Sequence, residues 1–230
     1  MVIVYHQIFF LVDNMKKEYT FILICATGRS GSTTLQRIIN TIPNTNICGE
    51  NSNAILHLIN SYTSIKSLSE NNNYEYYINK NKKPCWYNYF DKEKYIDDLR
   101  NTIIHFLDYT DTSLHIGFKE IRYNDSNIHL LPKFIELFPN TKIILHMKKD
   151  IAKQSKSDWW ARNPEAYSFL GKKNNVLLEY HKNNKDNNTY VSYFEDLFDL
   201  DKVKNIFTFL NLEEYFDKNK VTEILNNNQG

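Results

Sequence analysis

Residues 19–26, YTFILICA, form a continuous apolar run. A strand with that pattern is hydrophobic on both faces, which predicts a buried parallel strand. Small residues at 27–32 follow as a turn. Residues 33–40 then show helical spacing, with Leu35, Ile38 and Ile39 on one face, and Pro43 closes the segment. A second helix is expected within 51–65. Residues 66–83 contain Asn71, Asn72 and Asn73 and few aliphatics, so they read as a mobile surface loop. Over 89–107, Ile96, Leu99, Ile103 and Phe106 share one helical face.

A second strand is expected over 114–120, LHIGFKE, and a helix capped by Asp125 or Ser126 up to Phe138. Residues 142–147, KIILHM, read as another strand, with a helix from Asp150. Residues 176–182 look helical, 189–194 (TYVSYF) form a late strand, and two helices end the chain. Strands alternating with helices predict βαβ units, an α/β protein and a mostly parallel sheet. No repeat of solenoid period and no domain boundary is visible. The expectation is one domain over 19–230. Residues 1–18 precede it as a lead, read as a short extra strand, a disordered segment or a start upstream of the true Met15.

The chain has 230 residues with a formal net charge of +1. It has enough apolar material for a sizeable core and too little positive charge for a generic nucleic-acid or acidic-membrane coat. No run of about 18 apolar residues marks a membrane helix. The apolar start lacks a basic leader and a small-residue cleavage site, so a soluble, cytoplasmic protein is expected. Cys25, Cys48 and Cys85 have no framework spacing and no metal-ligand partner, which predicts free thiols and no structural zinc. Asn-x-Ser/Thr occurs at Asn124 and Asn187, as chance predicts in a chain with 30 Asn. The alphabet is rich in Asn, Ile, Lys and Tyr and holds only 6 Gly and 5 Arg, which suits an A/T-rich genome. Asn and Lys are therefore background, and Gly beside Arg stands out.

Such a cluster lies in FILICATGRSGSTTLQRIIN. Gly28 and Gly31 let backbone N–H groups approach an anion closely. The following helix offers unpaired N–H groups and the positive end of its dipole. Ser30, Ser32, Thr33 and Thr34 add hydroxyls, and Arg29 adds a planar cationic fork. This pattern predicts a phosphate- or sulfate-binding loop, the alternative being a Ser/Thr-rich cap without ligand. A Walker A loop would need Lys where Ser32 stands, which disfavours ATP or GTP hydrolysis by the usual route. The glycines Gly28, Gly31 and Gly49 do not make a Rossmann fingerprint either.

Arg29-Ser30-Gly31-Ser32-Thr33 after an apolar strand resembles the 5′-phosphosulfate loop of sulfotransferases that use 3′-phosphoadenosine 5′-phosphosulfate (PAPS). It is closest to the Arg-Ser-Gly-Thr-Thr form of protein-tyrosine and carbohydrate sulfotransferases, with Thr34 in place of the usual Leu. Pro43 before Cys48-Gly49-Glu50 also resembles that family; its tyrosine-sulfating branch has a second Glu, here Asn51, as base. KIILHMKKDIAKQSKS is similar to the family's 3′-phosphate segment, with Lys149 in the Arg place, Asp150 next and Ser157 at the Ser. GFKEIRY, YVSYFEDL and FTFLNL add weaker likenesses, so the resemblance spans 19–212. The Arg-Lys-Gly loop that covers the nucleotide in the cytosolic branch is missing.

The resemblance implies a P-loop-like parallel sheet, PAPS as donor and no metal. It implies transfer of a sulfuryl group to a hydroxyl of a carbohydrate, a tyrosine or a small molecule. Gly28, Arg29, Ser30, Gly31, Ser32, Thr33 and Thr34 would hold the 5′-phosphosulfate, and Lys149 and Ser157 the 3′-phosphate. Arg29 would stabilise the leaving phosphate and Glu50 take the acceptor's proton. Glu50 also reads as a surface carboxylate, and His57 is a rival base. Lys119 and Arg122 read either as contacts to sulfate or acceptor, or as strand-end charges. Trp159 and Trp160 read as core packing before stacking on adenine or acceptor. A P-loop nucleotide or nucleoside kinase and a non-catalytic nucleotide-binding protein are the other readings.

Overall fold

The computed structural model describes residues 18–70, 91–108, 112–184 and 187–227. Five parallel strands form one sheet: β1 (Thr20–Ala26), β2 (Thr45–Cys48), β3 (His115–Glu120), β4 (Thr141–Met147) and β5 (Thr189–Tyr193). Their order is β2-β3-β1-β4-β5, so β1 is central. Successive side chains of β1 face opposite sides. Phe21, Leu23 and Cys25 enter one core with α2 (Ala54–Glu70), α3 (Lys92–Leu107), α4 (Leu130–Leu137) and Leu177 of α6 (Ala166–Asn183). Ile22, Ile24 and Ala26 enter the other, with α1 (Ser32–Ile39), α7 (Leu200–Leu210) and α8 (Lys218–Asn227). The short helix α5 (Ile151–Ser155) follows β4. The unbroken apolar run of β1 is thus the signature of a strand covered by helices on both faces.

Several local expectations change. The expected loop over 66–83 is helical as far as Glu70, because α2 continues there; the remainder lies outside the described residues. On α3 the buried stripe is Ile96, Leu99, Ile103 and Leu107, while Phe106 is 57% exposed. Steps of three or four residues hold a helical face, and Leu107 continues that stripe better than Phe106. Neither Asp125 nor Ser126 caps α4. Asn124 accepts from the amide of Ser126, a turn intervenes, and α4 starts at Leu130. Helix α6 begins ten residues before the expected Val176, at Ala166. Cys25 is fully buried, which pushes its thiol up to about 12, so it acts as a small apolar residue. Cys48 is a free, half-buried thiol, and Cys85 and the lead at 1–17 lie outside the described residues. No helix among the described residues is long and apolar enough to cross a membrane.

The sheet closes most tightly where Ile22 of β1 meets Gly117 of β3. A Cβ on Gly117 would lie 1.8 Å from the carbonyl oxygen of Ile22, which is backbone and cannot turn away. Gly117→Ala is therefore expected to cost about 3 kcal/mol as strand separation or strain. For a chain of this size that lowers Tm by roughly 6–12 °C in a circular-dichroism melt; an unchanged Tm would show that β1 and β3 separate freely.

Candidate active site at the carboxyl edge of the sheet

All five strands are parallel, so the segments leaving them emerge along one edge. In such sheets the crevice beside a strand whose neighbours connect in opposite directions is the usual ligand site. Here that strand is β1, and residues 27–31 leave it as the glycine-bearing loop.

The loop carbonyls are taken up internally. Gly28 O accepts from Gln154 Nε2 at 2.8 Å and from Trp160 Nε1 at 3.2 Å. Ser30 O accepts from His146 Nε2 at 3.0 Å. Thr27 O accepts from the Ser30 amide, and Gly31 O from the amides of Thr34 and Leu35. These bonds fix the carbonyls of Thr27, Gly28, Ser30 and Gly31, and the Ser30 amide is spent on Thr27 O. Helix α1 adds amides of its own: Gly31 at its start makes no side-chain cap, and its first turn holds no acidic residue. Arg29 and Gly31 both have positive φ, 65° and 78°. At Gly31 glycine is needed twice over, since a Cβ would also lie 2.1 Å from the Phe194 ring. Gly28 is under no such demand: a Cβ there would meet Trp160 and Ile121 at 3.4 and 3.6 Å, ordinary van der Waals contact. Arg29 and Thr33 are exposed, while Ser30, Ser32 and Thr34 are buried.

His146 lies in β4 with no exposure. Its Nε2–H faces a carbonyl, so its Nδ1 accepts from Ser192 Oγ at 3.1 Å. Burial pushes its pKa down to about 4, and the neutral ring joins β4, β5 and the loop.

A second group lies at the ends of β2 and β3. Glu50 follows β2 and meets Lys119 Nζ at 2.7 Å and Arg122 Nη1 at 3.3 Å. Glu120 is fully buried, and a carboxylate there needs donors. It has four: the amides of Asn53, Ile121 and Arg122, and Arg122 Nη1 at 2.7 Å. The Glu120 hydrogen bond is the main reason the Arg122 pKa is raised. Lys173 of α6 donates to Ile121 O at 3.0 Å, and burial lowers its pKa. The structure thus joins Glu50, Lys119 and Arg122 in one cluster. His57 is exposed in the first turn of α2, and no hydrogen bond among the described residues ties it to that cluster.

A third group follows β4 and β5. Lys149 Nζ meets Asp196 at 2.7 Å, and Lys202 meets the same oxygen at 2.7 Å. Glu195 accepts from the amides of Lys149 and Asp150. Burial pushes its carboxyl up, but these amides outweigh it and hold it below the ordinary carboxylate range. Asp150 caps α5 through the Lys153 amide. Ser157 follows α5, and its buried Oγ has no hydrogen-bond partner, like the buried Oγ of Ser30 in the loop. Core packing describes neither tryptophan well: Trp159 is 64% exposed, and Trp160 packs on the loop.

Sequence reasoning had no role for Glu120, His146, Gln154, Lys173, Phe194, Glu195 or Asp196. Some signal existed. His146 interrupts an apolar strand, and Glu120, Glu195 and Asp196 sit in quoted motifs. Gln154 also lies in a quoted motif, but only the folded chain shows it buried against the loop.

Among solved structures, the chain is similar to the sulfotransferase domain from the Synechococcus PCC 7002 olefin synthase, with a TM-score of 0.57. That match has 19% sequence identity and covers 93% of this chain and 79% of that one. This is a sulfotransferase-like fold. The sulfotransferase STF9 from Mycobacterium avium also matches, with a TM-score of 0.44, 12% identity and coverage of 92% and 69%. No family model matches the chain, and no curated protein matches it. The sulfotransferase-like fold brings the expected loop, Glu50 and Lys149 to the same edge of the sheet.

The neutral His146 makes stability depend on pH. Its folded pKa is about 4 against an ordinary 6.5, so the unfolded chain binds the proton first. Its contribution is present above pH 6.5 and is lost as pH falls towards 4. From this group alone, unfolding free energy should drop by about 3 kcal/mol across that window. His115, also lowered by burial, adds in the same direction. Urea unfolding of His146→Gln should show a smaller slope between pH 6.5 and 4.5; an unchanged slope would mean that His146 is not held neutral.

Proposed function

We propose that the chain is a PAPS-dependent sulfotransferase acting on a hydroxyl of a carbohydrate, a tyrosine or a small molecule. The observation that carries this reading is the inward capture of the loop carbonyls beneath Arg29. The exposed Arg29 guanidinium and the uncapped first turn of α1 are left for an anion, without the lysine that a Walker loop supplies. The partnerless hydroxyls of Ser30 and Ser157 fit a ligand with phosphate oxygens near both segments.

The donor supplies an activated sulfuryl group, whose S–O bond to the 5′-phosphate breaks as a new one forms to the acceptor oxygen. The amides of the loop and the start of α1, with Ser30, Ser32, Thr33 and Thr34, bind the 5′-phosphate. Arg29 sets positive charge against the leaving oxygen, where charge develops in a loose transition state. Lys149 and Ser157 bind the 3′-phosphate. Glu50 accepts the acceptor proton, and Lys119 and Arg122 orient its carboxylate. Trp160 shields the loop flank from water.

The donor class is tested by thermal shift. 3′,5′-Adenosine diphosphate should raise Tm, and stabilisation by ATP–Mg alone would overturn the reading in favour of a kinase. Arg29→Ala should lower transfer about 100- to 1,000-fold with little change in Tm. Glu50→Gln should lower kcat about 100-fold or more; full activity would remove Glu50 as the base.

A further inference from the structure

Residues 193–196 each touch one of the two anion-binding segments, and Ser192 reaches the loop through His146. Ser192 holds His146, which holds Ser30 O. The Tyr193 ring lies 5.0 Å beneath Lys149 Nζ. The Phe194 ring fills the space against Gly31 and lies 4.8 Å from Lys148 Nζ. Glu195 accepts from the amides of Lys149 and Asp150 at 3.0 and 3.2 Å. Asp196 accepts from Lys149 Nζ. The strand end and the 3₁₀ turn Phe194–Phe198 therefore touch the loop after β1 and the loop after β4 at once.

We infer that residues 192–196 are a bracket that sets the spacing between the two segments and so selects a nucleotide phosphorylated at both its 5′ and its 3′ end. The inference rests on the donor reading above and adds Glu195 and Asp196 as positioning residues with opposite effects. Glu195 fixes the backbone from which Lys149 projects. A glutamine keeps one acceptor and turns an NH₂ towards the other amide, which loosens that backbone. Asp196 instead competes with the 3′-phosphate for Lys149. Lys202 shares its carboxylate, so Asp196 stays paired when Lys149 turns to the ligand. Lys149 and Lys202 are each 49% exposed, so an ion pair exchanged there costs little.

The test is titration calorimetry of the full chain with 3′,5′-adenosine diphosphate and with 5′-AMP, which lacks the 3′-phosphate. Wild type should prefer the former. Glu195→Gln should weaken 3′,5′-adenosine diphosphate about tenfold and 5′-AMP less than about twofold. Asp196→Asn should tighten 3′,5′-adenosine diphosphate about threefold, because a competing negative charge is gone. A merely structural role would weaken both nucleotides together in both variants, and that result overturns the bracket. Weaker binding of 3′,5′-adenosine diphosphate to Asp196→Asn overturns the competition on its own, even if Glu195→Gln does not fold. Wild type that binds ATP–Mg and neither test nucleotide removes the donor reading itself, and the bracket with it.

Discussion

The glycine-bearing loop after β1 is held through its carbonyls by side chains from the neighbouring strand and the segment after it, and the rest of the candidate site depends on that hold. Gln154, Trp160 and His146, all from β4 or the segment after it, take the carbonyls of Gly28 and Ser30. The loop is also held in a backbone form that an L-residue adopts with strain, at Arg29, and one that Phe194 permits only to glycine, at Gly31. Strain of that kind persists because these surrounding bonds over-determine the loop. Burial keeps His146 neutral, with Nε2–H on Ser30 O and Nδ1 on the Ser192 hydroxyl.

The parallel sheet explains why the other groups lie beside the loop. Each strand ends at the same edge, and each end delivers part of the site. Glu50 comes from β2, Lys119 and Arg122 from β3, Lys149 from β4, and Glu195 from β5. Charges crowded in this way need a fixed frame, and Glu120 supplies it on one side. Its four donors tie the strand end to the turn that follows Glu50. That turn holds Ser52 and Asn53 at positive φ, and the Asn53 amide ends on Glu120. The lysine and arginine that hold Glu50 therefore belong to one connected network.

The composition played two parts. As background it made Gly28, Arg29 and Gly31 conspicuous. It also led sequence reasoning to discount asparagine, and there the structure corrects it. Among the described residues, four of the six non-glycine residues with positive φ are asparagines: Asn44, Asn53, Asn187 and Asn211. A chain so poor in glycine uses Asn where the backbone turns left-handed, as at the end of α7, because its short amide tolerates that region. Asn40 likewise exchanges both hydrogen bonds with the backbone of Ile47 and closes the edge of β2. Abundance hid these roles, since a residue type present everywhere carries little signal anywhere.

The sequence by itself determined β1, β3, β4 and β5, their alternation with helices and the loop, because period and apolar run length are local properties. It missed the edge strand β2, four residues with only Ile47 buried, which is too short to show a period. It marked the glycine-bearing loop as the candidate site because glycine, arginine and the helix start are likewise neighbours in the chain. What it left open were the partners drawn from distant strands. It treated Lys149 as a phosphate contact without its rival Asp196, and Trp159 as core, although that ring is exposed. It passed over Glu120, His146, Gln154 and Glu195, whose hydrogen bonds cross tens of residues of chain. Those bonds exist only after strands β1 to β5 lie side by side, and burial decides whether each group is neutral, paired or a surface charge.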